Sequence, residues 1–374
     1  MHRIEDGFYH FEDDLLDYPD AWCYIVWSKR GAGKTYSALK YAYENKIKIM
    51  YLKRTTEDVK FICKPIPKAK KEDIEEEYLK PCSIMDTSPF VPINRDTGWN
   101  VQAYMISAKG LGGFYNCDNA DLPYGAPISY IGSLNAIKSF KGFDMTSCEW
   151  LILDEYIPQA GEVVKTAEGS MLLDMYMTIL RDRQKRGRPP LKLVLFANAE
   201  EISTYITREL EVLDDMADLC ASGYTHLYIK DRGIVLHHIT DKEYPVTEEE
   251  KIGIYQGMAD TAWGRKSFAG EFSNNDFSLI KTLPLRNFTP QCSVAYRNKT
   301  YYIYLNQNTG IWYMTLAKAN VKRHYDLENT TDILQFQYYR ITLYEAIVCG
   351  RAYFQKYSMY DLIMKYFQYF KKKI

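Results

Sequence analysis

The chain lacks most marks of a membrane, secreted or metal-cluster protein. Its 374 residues hold no apolar run near the roughly 20 needed to cross a bilayer, and the longest candidates, such as Leu191–Ala199, suit a buried strand. The opening MHRIEDGFYHFEDD is acidic and without an apolar stretch, so no signal peptide is expected. Eight cysteines are scattered, Cys63 and Cys82 being the nearest pair. That spacing excludes CxxC redox and zinc-knuckle patterns and points to a reducing compartment. Six histidines form no HExxH. His237 and His238 are adjacent, but neighbours on a strand face opposite ways, so the pair is read as no metal site. A charge excess is missing too, the net being −1. The balance conceals an asymmetry. From Asn287 onward 12 Lys and Arg face 5 Asp and Glu, whereas the remainder has 35 against 43. A basic C-terminal part suits contact with a polyanion, although a solvated basic surface has the same composition.

What is present is a globular composition, 47% hydrophobic and 25% charged, in a length suited to about two domains. Residues 22 to about 210 alternate short apolar strands with helical patterns. Trp22–Trp27, Ile47–Leu52, Ile128–Leu134, Trp150–Leu153 and Leu191–Ala197 read as strands. Thr35–Glu44 and Met171–Arg183 carry apolar residues at helical intervals. This alternation predicts an α/β fold with a parallel, doubly wound sheet. The stretch 63–125 is less regular, with an acidic helical piece at Lys71–Lys80 and a hairpin around Val101–Ile106, and reads as an insertion on the core domain. Residues 225–239 form a hairpin about Asp231-Arg232-Gly233, and Thr247-x-x-Glu250 opens a helix to about Ala259. The expected division is an α/β domain at 1–213, a linker module at 214–262 and a basic domain at 263–374. The last begins with a Tyr-rich antiparallel meander at 293–316.

The strongest signal is Ser28-Lys29-Arg30-Gly31-Ala32-Gly33-Lys34-Thr35. It fits GxxxxGK[ST] with Ser28 for the first glycine. Small residues let backbone N–H groups wrap a phosphate, Lys34 reaches the β- and γ-phosphates of ATP, and Thr35 ligates Mg²⁺ above a helix N-terminus. The strand Trp150–Leu153 ends in Asp154-Glu155. Asp154 is placed to hold Mg²⁺ through water and Glu155 to polarise the attacking water. Asn198, at the end of the fifth strand, can sense the γ-phosphate. The helix from Met171 ends in Arg181-Asp182-Arg183-Gln184-Lys185-Arg186-Gly187-Arg188, more cations than a helix dipole calls for. An arginine there, Arg181 first and Arg183 beside it, can reach a neighbouring subunit's nucleotide. Lys138 and Lys141 form another basic loop, expected near the nucleotide edge or a pore.

On these residues the chain resembles the DNA-packaging ATPases of small phi29-like tailed phages, relatives of the large terminases. The likeness rests on Arg30-Gly31-x-Gly33-Lys34-Thr35, Tyr51-Leu52-Lys53-Arg54, Leu153-Asp154-Glu155-Tyr156-Ile157, the Arg181-x-Arg183 helix and Asn198-Ala199, in order over about residues 8–210. It implies a P-loop ATPase using Mg²⁺ and a homo-oligomeric ring, with five the expected number of subunits. The ring would dock on the portal of a prohead in the host cytoplasm and drive in double-stranded DNA, with a packaging RNA as a candidate further partner and no membrane. Lys53, Arg54, Lys138, Lys141 and Arg183 are then candidates for DNA or trans contact. The resemblance also implies a ribonuclease-H-like C-terminal domain without nuclease activity. The residues agree, since no Asp or Glu lies between Gln291 and Asn320 to hold two metals. Two rivals stay open. One is a large terminase with an active nuclease, for which Asp276, Asp326 and Asp332 are the available acids. The other is a non-motor P-loop assembly ATPase.

Overall fold

A computed structural model describes residues 7–65, 87–117, 125–140, 143–159, 162–199, 201–240, 243, 257–258, 261 and 277–371. The chain divides into two compact units, one of residues 1–210 and 222–274, the other of 211–221 and 275–374.

The first unit is built on a nine-stranded sheet. Its strands are β1 (Cys23–Ser28), β2 (Ile49–Lys53), β3 (Val101–Ser107), β4 (Leu111–Asn116), β5 (Ser129–Ser133), β6 (Trp150–Asp154), β7 (Lys192–Asn198), β8 (His226–Ile229) and β9 (Ile234–His238), in the order β3-β4-β5-β2-β6-β7-β1-β9-β8. The six strands from β5 to β9 in that order are parallel. Every residue of β1 is buried, as are all but the ends of β6 and β7, because a parallel sheet is covered on both faces. Apolar runs thus replace alternation, as the sequence reading required. On one face Phe11 meets Tyr24, Trp150 and Phe196 edge-on at 5.5, 5.5 and 5.6 Å between centroids. Such pairs add about 0.5–1.5 kcal/mol each beyond area burial.

Three organisational expectations are corrected. The hairpin within 63–125 is not a separate layer on the core domain but part of its sheet. It pairs with β5 and extends the sheet antiparallel at one edge. The 225–239 hairpin is no linker module, because β9 pairs in parallel with β1 along five residues and closes the other edge. The first boundary also shifts. The helix Leu213–Ser222 goes almost wholly with the second unit, where Asp214 accepts hydrogen bonds from Ser358 N at 2.8 Å and Ser358 Oγ at 2.9 Å. The helices read at Lys71–Lys80 and from Thr247 to about Ala259 lie outside the described residues, apart from 257–258.

The second unit carries a five-stranded sheet of β10 (Thr289–Tyr296), β11 (Lys299–Asn306), β12 (Ile311–Thr315), β13 (His324–Asp326) and β14 (Ala352–Phe354), ordered β13-β10-β11-β12-β14. β10 to β12 are the expected meander, and β13 and β14 add in parallel at its edges. Tyr304 and Tyr313 of this Tyr-rich meander are buried. Tyr304 donates to Ala317 O at 2.8 Å, and Tyr313 accepts from Leu283 N at 3.2 Å. Among the described residues no helix is long and apolar enough to cross a membrane.

Candidate active site

The carboxyl edge of the parallel strands is where an open α/β sheet binds ligands. Here it gathers Ser28 at the end of β1, Lys53 at the end of β2, Asp154 at the end of β6 and Asn198 at the end of β7. Register sets this. Ser28 pairs with Asn198, so β1 and β7 finish level, and Asp154 pairs with Phe196, two residues short of the end of β7. After β1 the chain turns through Gly31 and Gly33 at φ +80° and +86° and enters the helix Lys34–Glu44. Side chains disfavour that backbone region, and a Cβ on Gly33 would also touch Phe8 at 3.5 Å.

A cavity of about 220 Å³ lies over this turn, lined among others by Gly31, Gly33, Lys34, Thr35, Asp154, Glu155 and Asn198. Lys34 is buried, and its ammonium donates to Ser28 Oγ, to Lys29 O at 3.3 Å and to Asn198 Oδ1 at 3.5 Å. Ser28, the departure from the glycine pattern, is thus an acceptor for Lys34 and not a mere small filler. Burial pulls the Lys34 amine down to about 8, against the pull of Asp154 and Glu155. A cation so desolvated and held only by neutral oxygens suits an incoming anion. Lys29 and Arg30 do not line the cavity, and Arg30 is exposed.

Asp154 collects three donors. Thr35 Oγ1 donates at 3.1 Å, Tyr51 OH at 2.6 Å and Lys53 Nζ at 3.2 Å. Burial pushes the Asp154 carboxyl up, but the Lys53 ammonium and these hydrogen bonds outweigh it and hold the group below the usual carboxylate range. The Thr35 hydroxyl and a half-buried carboxylate side by side are the oxygen donors that a small hard cation takes, so the set fits Mg²⁺. Lys53 also binds Glu155 Oε2 at 3.1 Å.

Glu155 follows in the left-handed region at φ +59°. That conformation costs roughly 1–3 kcal/mol in a non-glycine residue. Arg54 offsets it by donating to Glu155 O at 3.1 Å and Tyr156 O at 2.9 Å. Arg54 is itself fixed by Glu168 at 2.6 Å and Glu162 at 2.8 Å. The strained turn is therefore held by a buried guanidinium whose partners lie more than a hundred residues away.

Several predicted contacts are corrected by this geometry. Lys53 faces the two acids of its own chain. Arg54 is 4% exposed and fully engaged within the unit, so it is no DNA or trans contact. Arg183 is 1% exposed and donates to Pro189 O at 2.9 Å, Thr146 O at 2.8 Å and Cys148 O. It fastens the turn after its helix. That helix runs Glu168–Leu180 and stops before Arg181, which is exposed and outside the cavity lining. Lys138 is exposed at the end of the 3₁₀ turn Leu134–Phe140 after β5. β2 stands between β5 and β6, so Lys138 does not follow the neighbour of the Asp154 strand. Lys141 and Asp276 lie outside the described residues. Sequence reasoning gave Tyr51 no role in the site, although its position two before Lys53 on β2 puts both on one face. It also missed Glu168, which lies just before the apolar repeat that begins at Met171.

No family model matches the chain, and no curated protein sequence does. Solved structures do. A chain of the bacteriophage Phi-29 viral genome packaging motor assembly superposes with a TM-score of 0.63 at 14% identity, covering 97% of this chain and 99% of that one. The Phi-28 gp11 DNA packaging motor gives 0.52 at 16% identity, covering 94% and 95%. The chain therefore shares, along nearly its whole length, the fold of these packaging-motor subunits.

Proposed function

We propose that the chain is the ATP-hydrolysing subunit of a viral packaging motor that drives double-stranded DNA into a prohead. The observation that carries the proposal is the convergence of Lys34, Thr35, Asp154, Glu155 and Asn198 on one cavity at the carboxyl edge of the sheet. The shared fold supports it. Gly31 and Gly33 belong to a Walker A loop that wraps the phosphates of ATP, with Lys34 moving its ammonium from Ser28 and Asn198 onto the β- and γ-phosphates. Thr35 and Asp154 would hold Mg²⁺, whose charge neutralises the phosphate oxygens. Glu155 accepts the proton of the attacking water. The water oxygen bonds the γ-phosphorus, the bond to the β-phosphate oxygen breaks, and ADP and phosphate leave. In the nucleotide-free geometry Lys53 holds Glu155, so activation requires Glu155 to leave that ion pair. Asn198 loses its γ-phosphate partner on hydrolysis and passes that change to β7.

The subunits form a ring, with five the number implied by the family likeness, and Arg181 reaches the next subunit's nucleotide. The ring docks on the portal vertex in the host cytoplasm, with a packaging RNA as candidate partner. The second unit is a ribonuclease-H-like platform that grips DNA through phosphates without reading sequence. Its excess of cations from Asn287 onward supports that role. Asp326 and Asp332 serve the backbone there, accepting from Glu328 N at 2.9 Å and Asp326 N at 2.9 Å. ATPase rate with and without duplex DNA and proheads tests the reading. Stimulation by DNA is expected. Turnover indifferent to both would favour a non-motor assembly ATPase, and metal-dependent nicking would favour a nuclease-bearing terminase.

Lys34 gives a second check. With its amine near 8 in the free protein, it is largely neutral at pH 8.5. Bound phosphate raises it again, so nucleotide binding at pH 8.5 takes up roughly half a proton or more, and almost none at pH 6.5. Calorimetry in buffers of different ionisation enthalpy measures the uptake. Equal uptake in Lys34→Met would assign it elsewhere.

A further inference from the structure

Two histidines and two carboxylates from distant parts of the chain meet at the β8 edge of the first unit, away from the nucleotide cavity. His226 and His237 are cross-strand partners on the β8–β9 hairpin, with ring centroids 3.6 Å apart. Asp14, from the helix Phe11–Asp17, lies on one side. Its Oδ2 is 2.8 Å from His237 Nδ1 and its Oδ1 is 3.4 Å from His226 Nε2. Glu243 lies on the other side, with Oε2 3.2 Å from His237 Nε2 and Oε1 3.5 Å from His226 Nδ1. Each imidazole therefore shows one nitrogen to Asp14 and the other to Glu243. Asp14 and His237 are wholly buried, and the side chains of His226 and Glu243 are 15% and 16% exposed.

We propose that Asp14, His226 and His237 bind a zinc ion that fastens the N-terminal segment to the sheet. Their donor atoms already lie within 4.8 Å of one another. Zinc bonds of about 2.0–2.1 Å place donors about 3.3 Å apart in a tetrahedron, close to the present Asp14–His226 separation. A second observation concerns Asp14 Oδ1, which is buried and accepts no hydrogen bond. Its other oxygen is already taken by Tyr9 OH at 2.5 Å as well as His237. A wholly buried carboxylate needs a compensating cation or hydrogen-bond donors close by, and a divalent ion held by these same donor atoms supplies that charge. Glu243 then has the usual place of an outer carboxylate that receives the remaining ring N–H and orients the ligand, with Thr225 donating to it at 2.8 Å. On binding, the Nδ1 proton of His237 leaves to solvent, and a water completes the four-coordinate site.

The position gives the ion a structural task. Five residues before Asp14, Tyr9 N donates to Ala32 O at 3.0 Å, and Phe11 N donates to Ser37 Oγ at 3.2 Å. The segment that crosses the phosphate-loop turn is thereby pinned at its far end to β9, which pairs with β1.

The test uses the purified full chain, stripped with chelator and titrated with Co²⁺ and then Zn²⁺. One equivalent of Co²⁺ is expected to give the visible bands of a tetrahedral N/O site, displaced by one equivalent of Zn²⁺. Zn²⁺ should raise the melting temperature of the wild-type chain. Asp14→Asn and His226→Asn should each weaken zinc at least tenfold, whereas Glu243→Gln should keep the Co²⁺ bands with weaker affinity. The wild-type spectrum does not depend on any variant folding. Absence of Co²⁺ bands and of a retained zinc equivalent on the wild-type chain would overturn the proposal. Zinc affinity unchanged in both ligand variants would overturn it as well.

Discussion

Glu155→Gln is expected to lower ATP turnover at least about a hundredfold while nucleotide binding survives, since general-base catalysis contributes 10²–10⁴. Glutamine keeps the length and hydrogen-bonding oxygen of the side chain but cannot take the proton of the attacking water. The backbone should stay in place. Its left-handed turn is held through the carbonyls of Glu155 and Tyr156 by Arg54, not through the Glu155 carboxylate. The Lys53–Glu155 ion pair is lost, but Lys53 retains Asp154 at 3.2 Å. With the side chain of Glu155 45% exposed, that lost pair is worth little to stability. Rate and binding should therefore separate. Steady-state turnover and a fluorescent-nucleotide titration on the same preparation measure both. Turnover near the wild-type level would remove Glu155 from the role of base.

What could be read in advance follows from how local each signal is. The Ser28–Thr35 loop, the Asp154-Glu155 strand end and Asn198 are short patterns whose chemistry is contained in a few neighbouring residues, and the fold brings all three to one edge. The parallel core was legible because strands buried on both faces are written as apolar runs. Arg54 and Arg183 were misread for the opposite reason. Composition shows a cation, but whether it meets solvent or buried oxygens is settled by partners far along the chain. For Arg54 these are Glu162 and Glu168, and for Arg183 the carbonyls of Thr146, Cys148 and Pro189. The 225–239 hairpin was legible as a hairpin, yet its attachment depends on β9 choosing β1, and periodicity carries no such address. The same holds for Asp14 and His237, which are 223 positions apart. The argument that His237 and His238 face opposite ways was sound, since His238 stacks on Trp27 while His237 turns to Asp14. It overlooked the cross-strand neighbour, His226.

Arg181→Ala is expected to reduce turnover about a thousandfold or more and to leave nucleotide binding nearly intact, the range associated with an arginine supplied to a neighbour's phosphates. The chain leaves its helix at this residue, with φ −41° and ψ 121°, and the side chain is exposed. Among the described residues it does not belong to the cavity lining. Arg183, two residues on, is locked into carbonyls and fixes the direction in which the turn leaves the helix. Glu168, at the start of the same helix, binds Arg54 and so the turn of Glu155. One helix thus has a buried start tied through Arg54 to the Glu155 turn and an end at which Arg181 is exposed. If Arg181 acts across a subunit boundary, mixing Arg181→Ala with Glu155→Gln should restore activity that neither variant has alone. In a random equal mixture about a quarter of head-to-tail interfaces combine an intact Glu155 with an intact Arg181. Turnover of the mixture, measured after labelled subunits have been shown to exchange, decides the matter. A mixture no more active than its parts would confine Arg181 to its own subunit and leave the trans position to another cation of the turn, Lys185 or Arg186, both exposed.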